Sequence, residues 1–179
     1  GNGGERITPV DASGSVIADF SYSDNNLWPA SADGLGYSLV RIDPAGNGDP
    51  DTGDEWRPSV SGGGTPGGSD STAFAGGNAV ELIEHALALP GKRINATLDP
   101  DGTLVIAIRR NLAADDVIFS FDSSVDLITW QVIPPGTGIQ LSNRNNHGDG
   151  TETLFFRADG LSSGEGKRTV AVRVAISLR

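Results

Sequence analysis

Six oxygen-bearing side chains crowd one short stretch: Asp43, Asn47, Asp49, Asp51, Asp54 and Glu55, with glycines between them. Carboxylates and amides spaced this closely suit calcium, which takes about six to eight oxygens from a chain able to wrap around it. The spacing is not that of an EF-hand loop, because no acid closes it at the required interval. The expectation is therefore a solvated acidic loop with no metal. Asp43, Asn47, Asp49, Asp51 and Asp54 are the calcium candidates if an ion is held. A second polar loop runs from Asn143 to Gly150 and sets His147 beside Asp149. One imidazole without another is a weak metal signal, and Asn, Gly and Asp in a cluster are ordinary turn residues.

Other arrangements are weaker still. Asp115 and Asp116 are adjacent, and on a strand adjacent side chains point to opposite faces, so they would not share work on one bond. The glycines from Gly62 to Gly68 lack the Lys-Ser/Thr of a phosphate loop. His85 falls beside Glu81 and Glu84 on a helical stretch and is expected at a surface or interface. Trp28, Trp56 and Trp130 could stack on sugars, but each stands in a pattern that suits packing, and all three are expected in the core. Asn95-Ala-Thr97 matches a glycosylation acceptor. No catalytic or cofactor-binding residue is assigned, and the chain is expected not to be an enzyme.

The elements that must carry these residues follow from composition. The chain has 179 residues, 25 of them glycine, with no cysteine and no methionine. Such a composition disfavours a helical bundle and favours short strands joined by turns. Without cysteine there are no disulfides and no thiolate metal sites. The net charge of −10 argues against nucleic acid, whose binders need a basic stripe. No apolar run is long enough for a transmembrane segment. A chain that begins at Gly1 and lacks methionine is expected to be processed, or cut from something longer.

Charge divides the chain. Up to Gly77 there are eleven acids against three bases, and from Asn78 onward twelve against ten. A Gly-rich linker, Ser61–Thr72, separates them and is expected to lack regular structure. Residues 1–70 are read as one β domain, 71–92 as linker and short helix, and 93–179 as an antiparallel β-sandwich. In the first part Ile7–Val10, Val16–Tyr22 and Tyr37–Ile42 read as strands, with Pro9 marking an edge. Asn78–Leu89 reads as a helix capped by Asn78 and Glu81, with Val80, Ile83 and Leu87 on its buried face. Strands are then expected over Thr103–Arg110, Val117–Asp122, Thr129–Ile133, Ile139–Leu141, Thr151–Arg157 and Thr169–Leu178. Val170, Val172, Val174, Ile176 and Leu178 make the strongest apolar face. The fold class is all-β, with immunoglobulin-like sandwich units and one short helix.

Several motifs add a resemblance. Asn2-Gly-Gly-Glu-Arg-Ile7, Trp28-Pro-Ala-Ser-Ala-Asp-Gly-Leu-Gly-Tyr-Ser-Leu39, Ile42-Asp-Pro44, Trp56-Arg-Pro-Ser59 and Gly63-Gly-Thr-Pro-Gly67 resemble the later half of a bacterial lamin-tail domain. Asn78–Leu87, Arg110–Val117 and Ser123–Trp130 are similar to the C-terminal β-sandwich tail of large secreted or surface multidomain proteins. The resemblance implies an immunoglobulin-like sandwich without catalytic residues, acting as a binding or scaffold module. Pro9 departs from the usual apolar residue there, and the early strands of the family do not precede Gly1.

The resulting expectation is a non-catalytic extracellular or cell-surface module for structure, adhesion or assembly. With the early strands missing, Ile7, Val10, Val16, Ala18, Phe20, Leu39 and Ile42 would face water unless covered. A homo-oligomer built by strand addition, and hence a filament subunit, is one way to cover them. The alternative is a carbohydrate- or calcium-binding accessory domain of a secreted enzyme, with a surface glycan as partner.

Overall fold

Four strands bracketed by turn residues supply most of the core of the molecule. A computed structural model of the chain describes residues 3–25, 27–87, 93–159, 162–163, 167–168 and 171–179. In chain order the strands are β1 (Glu5–Ile7), β2 (Phe20–Tyr22), β3 (Leu39–Arg41), β4 (Trp56–Pro58), β5 (Ile94–Leu98), β6 (Leu104–Asn111), β7 (Val117–Ser124), β8 (Gln131–Ile133), β9 (Gln140–Asn146), β10 (Thr151–Ala158), β11 (Ser162–Ser163), β12 (Lys167–Arg168) and β13 (Ala171–Leu178). One helix, α1 (Ala79–Leu87), lies between β4 and β5, and short 3-10 turns occupy Ala30–Ala32 and Gly53–Glu55.

The fold is all-β and antiparallel with a single short helix among the described residues, as the composition and alternation imply. One sheet has the order β5-β6-β10-β9 and a second has β13-β7-β8. β1–β2, β3–β4 and β11–β12 form separate two-stranded ladders. Four strands escape the sequence pattern, among them the two-residue β11 and β12. β4 is only three residues and contains a proline, and β5 has a single buried-facing apolar residue of any size, Ile94. The strand expected over Val16–Tyr22 shortens to Phe20–Tyr22, with Val10 and Val16 joined by an isolated bridge. Residues 88–92, where the helix was expected to end, and Val170 lie outside the described residues.

The two larger sheets face each other. Ile106 and Ile108 of β6 meet Val117 and Phe121 of β7, and the Phe121 and Phe156 rings lie 4.9 Å apart between the layers. Val172, Val174 and Ile176 pack against the same core, whereas Leu178 is exposed. Burial of each aliphatic side chain here contributes ~1.5–3 kcal/mol. α1 joins this core. Asn78 Oδ1 accepts the N–H groups of Val80 and Glu81 at 2.9 and 3.0 Å, satisfying two orphan donors of the first turn. The Glu81 carboxylate reaches back one residue further than a capping box requires, to the Gly77 N–H at 2.6 Å. The buried face is Leu82, Ala86 and Leu87, not Val80, Ile83 and Leu87; Val80 and Ile83 are exposed. Apolar residues occupy both stripes of this short helix, so docking against β6 and β13 selects the face, not periodicity.

Beyond that core, the inner face of the larger sheet becomes polar. Arg110, Glu152 and Arg144 fall on the same face as Ile108 and Leu154 by register. The Trp28 and Trp56 segments cover them, so this end of the sheet is buried by ionic and hydrogen-bonded contacts instead of apolar ones. Ser61–Thr72 has neither helix nor strand, yet it is fastened. The Gly63 N–H donates to Gly36 O at 2.7 Å and the Thr72 N–H to Ala113 O at 2.8 Å.

Candidate functional site

Two things stand out chemically: a buried polar seam that positions the first seventy residues, and a cleft that those residues form. In the seam, Arg57 is 0% exposed. Its Nε and Nη2 donate to the two Asp115 oxygens, each at 2.6 Å, and Nη1 donates to Asp70 Oδ2 at 2.6 Å. Pro58 O and Asp70 O accept its remaining N–H bonds. A fork of five donors is what a guanidinium offers, and here each N–H direction meets an acceptor.

The second part of the seam is Glu152, whose carboxylate lies between two guanidinium groups. Arg110 donates to Oε1 at 2.9 and 2.6 Å, and Arg144 donates to Oε2 at 3.0 Å and Oε1 at 2.8 Å. Burial pushes the Glu152 carboxyl up, but Arg110 and Arg144 outweigh it and hold it below the ordinary glutamate range. Arg144 also spends Nη1 on three carbonyls, of Leu27, Gly53 and Trp56, at 3.0, 3.1 and 2.7 Å. One side chain of β9 thus pins both tryptophan segments. Gly53 is needed at this junction because a Cβ there would overlap the backbone of Leu27 and Trp28.

The tryptophans pinned in this way stack on each other at 5.9 Å, and Trp56 meets Phe20 at 4.8 Å. Phe20 belongs to β2, so this contact seats the β1–β2 hairpin. Register places Glu5 opposite Tyr22 and Ile7 opposite Phe20, which puts all four on one face. That face forms one wall of a cleft of about 550 Å³, with Pro29, Ala32, Asp33, Tyr37 and Leu39 on the other side and Trp56 also lining it. Among the described residues that line the cleft are three carboxylates, Glu5, Asp24 and Asp33. The Tyr22 hydroxyl donates to Glu5 Oε1 at 3.3 Å. Burial, and then the charges of Glu5 and Asp33, push this hydroxyl above the ordinary tyrosine value. Gly4 closes one end of the cleft at φ +111°, where any side chain would strike the Tyr22 carbonyl.

The calcium candidates go to separate partners. Asp43 meets Arg179 at 3.1 Å, Asp51 Oδ1 accepts the Ser21 N–H at 2.7 Å, and Asp49 Oδ1 accepts the Asp51 N–H at 3.0 Å. Asn47 and Asp54 are exposed. Among the described residues no three His, Asp or Glu side chains are grouped to hold a metal. His147 bonds Thr153 Oγ1 at 2.8 Å, while Asp149 pairs with Arg109 and Thr151. Asp115 and Asp116 stand in the turn before β7, not on a strand. They do part company: Asp115 takes Arg57, and Asp116 takes His85 at 2.9 Å and the Phe74 N–H at 2.7 Å. Trp28 and Trp56 are buried, whereas Trp130 is half-buried with Arg173 4.7 Å above its ring.

Sequence reasoning passed over the cleft residues Tyr22, Asp24, Asp33 and Tyr37. The alternation of Phe20 with Tyr22 was the available signal, but their opposing wall comes from a different segment. Sequence reasoning also counted no Gly-x-Ser-x-Gly elbow, although Gly160-Leu-Ser-Ser-Gly164 has that spacing. That elbow needs a strand-to-helix turn, and Ser162–Ser163 instead pair antiparallel with Lys167–Arg168. Neither a family model, nor a curated protein, nor a solved structure matches this chain.

Proposed function

We propose that this chain is a non-catalytic extracellular module for surface structure, adhesion or assembly, in which copies join by strand addition. The observation that carries this reading is the β1–β2 hairpin. Among the described residues no third strand joins it. Ile7, Val10, Val16 and Ile17 are exposed, Ile17 to 69%. Leaving such side chains in water forgoes ~1.5–3 kcal/mol apiece, and unpaired strand edges are a template for another chain. A second apolar surface, the loop between β7 and β8, presents Leu127 and Ile128, the latter 84% exposed. Asp126 holds this loop rigid by accepting the N–H groups of Ile128 and Thr129. Two dissimilar apolar patches on one chain suit a head-to-tail contact, which closes into rings or runs on as filaments.

The lamin-tail resemblance supports a scaffold role and a location outside the cell. The buried charges support it too, because Arg57, Arg110, Arg144 and Glu152 are all consumed in holding the fold. No described helix is long and apolar enough to cross a membrane. Light scattering across a concentration series, with hydrogen exchange of Phe20–Tyr22, tests the reading. Mass should grow with concentration, and exchange in β2 should slow as it does. A monomer at every concentration would overturn assembly by strand addition.

A further inference from the structure

We infer that Asn47, in the loop between β3 and β4, is a site of spontaneous modification, where the side-chain amide is lost through a succinimide to leave aspartate or isoaspartate. The reaction is intramolecular. The Gly48 nitrogen gives up its proton to solvent hydroxide and attacks Asn47 Cγ, closing a five-membered ring. The bond from Cγ to the amide nitrogen breaks, and ammonia leaves. Water then opens the ring at either carbonyl, so one nitrogen is exchanged for oxygen and no electrons are transferred. Attack of this kind is effectively unimolecular where both groups are free to meet.

The loop leaves both groups free. Asn47 is exposed, and residues 47–49 belong to no helix, strand or turn. Among the described residues, the Gly48 N–H meets no acceptor and the Asn47 side chain no partner. Gly48 is anchored from its other side, where its carbonyl accepts Arg41 Nη2 at 2.8 Å. The Glu55 carboxylate occupies the space that a Cβ at residue 48 would need. The same missing Cβ leaves the attacking nitrogen unshielded. Other asparagines are committed: Asn78 Oδ1 caps α1, Asn111 Nδ2 donates to His85 O at 3.0 Å, and Asn146 Nδ2 donates to Ser31 Oγ at 3.1 Å. Each of these is followed by a residue that carries a side chain. Asn2-Gly3 repeats the dipeptide, but Asn2 lies outside the described residues. Conversion at Asn47 adds one negative charge to the net −10, and isoaspartate adds one methylene to the main chain of the loop. The inference is independent of whether copies of the chain assemble.

The test incubates the full chain well below its melting temperature in mildly alkaline and mildly acidic buffer, both folded and unfolded in urea. Anion exchange separates the species with added charge, and peptide mapping by mass spectrometry assigns each gain of one mass unit to its asparagine. In the folded chain Asn47 should give two products, faster in alkali, at a rate within ~10-fold of that in urea, because the loop need not open to react. Asn78, Asn111 and Asn146 should be at least ~10-fold slower than Asn47, since their hydrogen bonds must first break. Hydroxylamine should cleave the chain between residues 47 and 48, where it traps the succinimide. Gly48→Ala should slow the conversion at least ~10-fold by shielding the nitrogen, and Asn47→Gln should abolish it at this position. An unchanged Asn47, protection beyond ~10-fold in the folded chain, conversion confined to Asn2, or a Gly48→Ala variant as fast as its parent would each overturn the proposal.

Discussion

Replacing Arg57 with alanine tests the seam most directly. The substitution deletes five hydrogen bonds and leaves the side chains of Asp70 and Asp115, 6% and 15% exposed, without their cation. Removing one partner of a buried pair costs ~3–5 kcal/mol, mostly because the survivor stays charged out of water. Asp115 keeps some solvent, so the lower end applies. The expected loss is about 3 kcal/mol, more than ~100-fold in the folding equilibrium and a large share of a domain's ~5–15 kcal/mol. Urea unfolding followed by tryptophan fluorescence measures the loss. Hydrogen exchange at the Thr72 N–H, bonded to Ala113 O, shows whether the seam opens. Arg57→Lys should lose less, since the charge remains while the fork does not. Adding Asp70→Asn and Asp115→Asn to Arg57→Ala should recover part of the stability. A loss below ~1 kcal/mol, or a triple variant no better than the single one, would refute the reasoning.

Acid should weaken the fold in a definite window. Glu152 sits below the ordinary glutamate range, and Asp126 is lowered to about 2, chiefly by the Thr129 and Ile128 N–H groups. Groups lowered on folding stabilise fully above their unfolded values near ~4 and lose that contribution as pH falls through the folded ones. Melting temperature should therefore hold from pH ~7 to ~5 and fall below ~4, with Glu152→Gln less stable at neutrality and less sensitive to acid. A melting temperature flat down to pH ~2 would contradict this. Gly53→Ala should cost ~1–3 kcal/mol in urea midpoint by forcing the Leu27–Trp28 backbone off Arg144, whereas Gly77→Ala, in open space, should stay within ~0.5 kcal/mol.

The sequence by itself determined the elements whose information is local. β6, β7, β10 and β13 were legible because turn residues close to them along the chain bracket each run. The start of α1 was legible because Asn78 caps its own neighbours. The all-β class followed from the same patterns together with the glycine content. Tertiary structure decided the rest. β4 exists only because Leu39–Arg41 lies beside it, and β5 only because β6 offers it an edge. The face that α1 buries depends on the sheets it docks against. The acids of the first part were read as a solvated loop or a calcium cluster, and their partners lay far along the chain: Ser21 for Asp51, Arg179 for Asp43. Arg57 and Asp115 are 58 residues apart, and Arg144 finds the Leu27 carbonyl across 117. The cleft belongs to this second class as well, since the stacking of Phe20, Trp56 and Trp28 brings its two walls together. Periodicity records which way a side chain points; only the folded chain determines what it meets, because charge pairing and wall-to-wall contact act across space without regard to sequence separation.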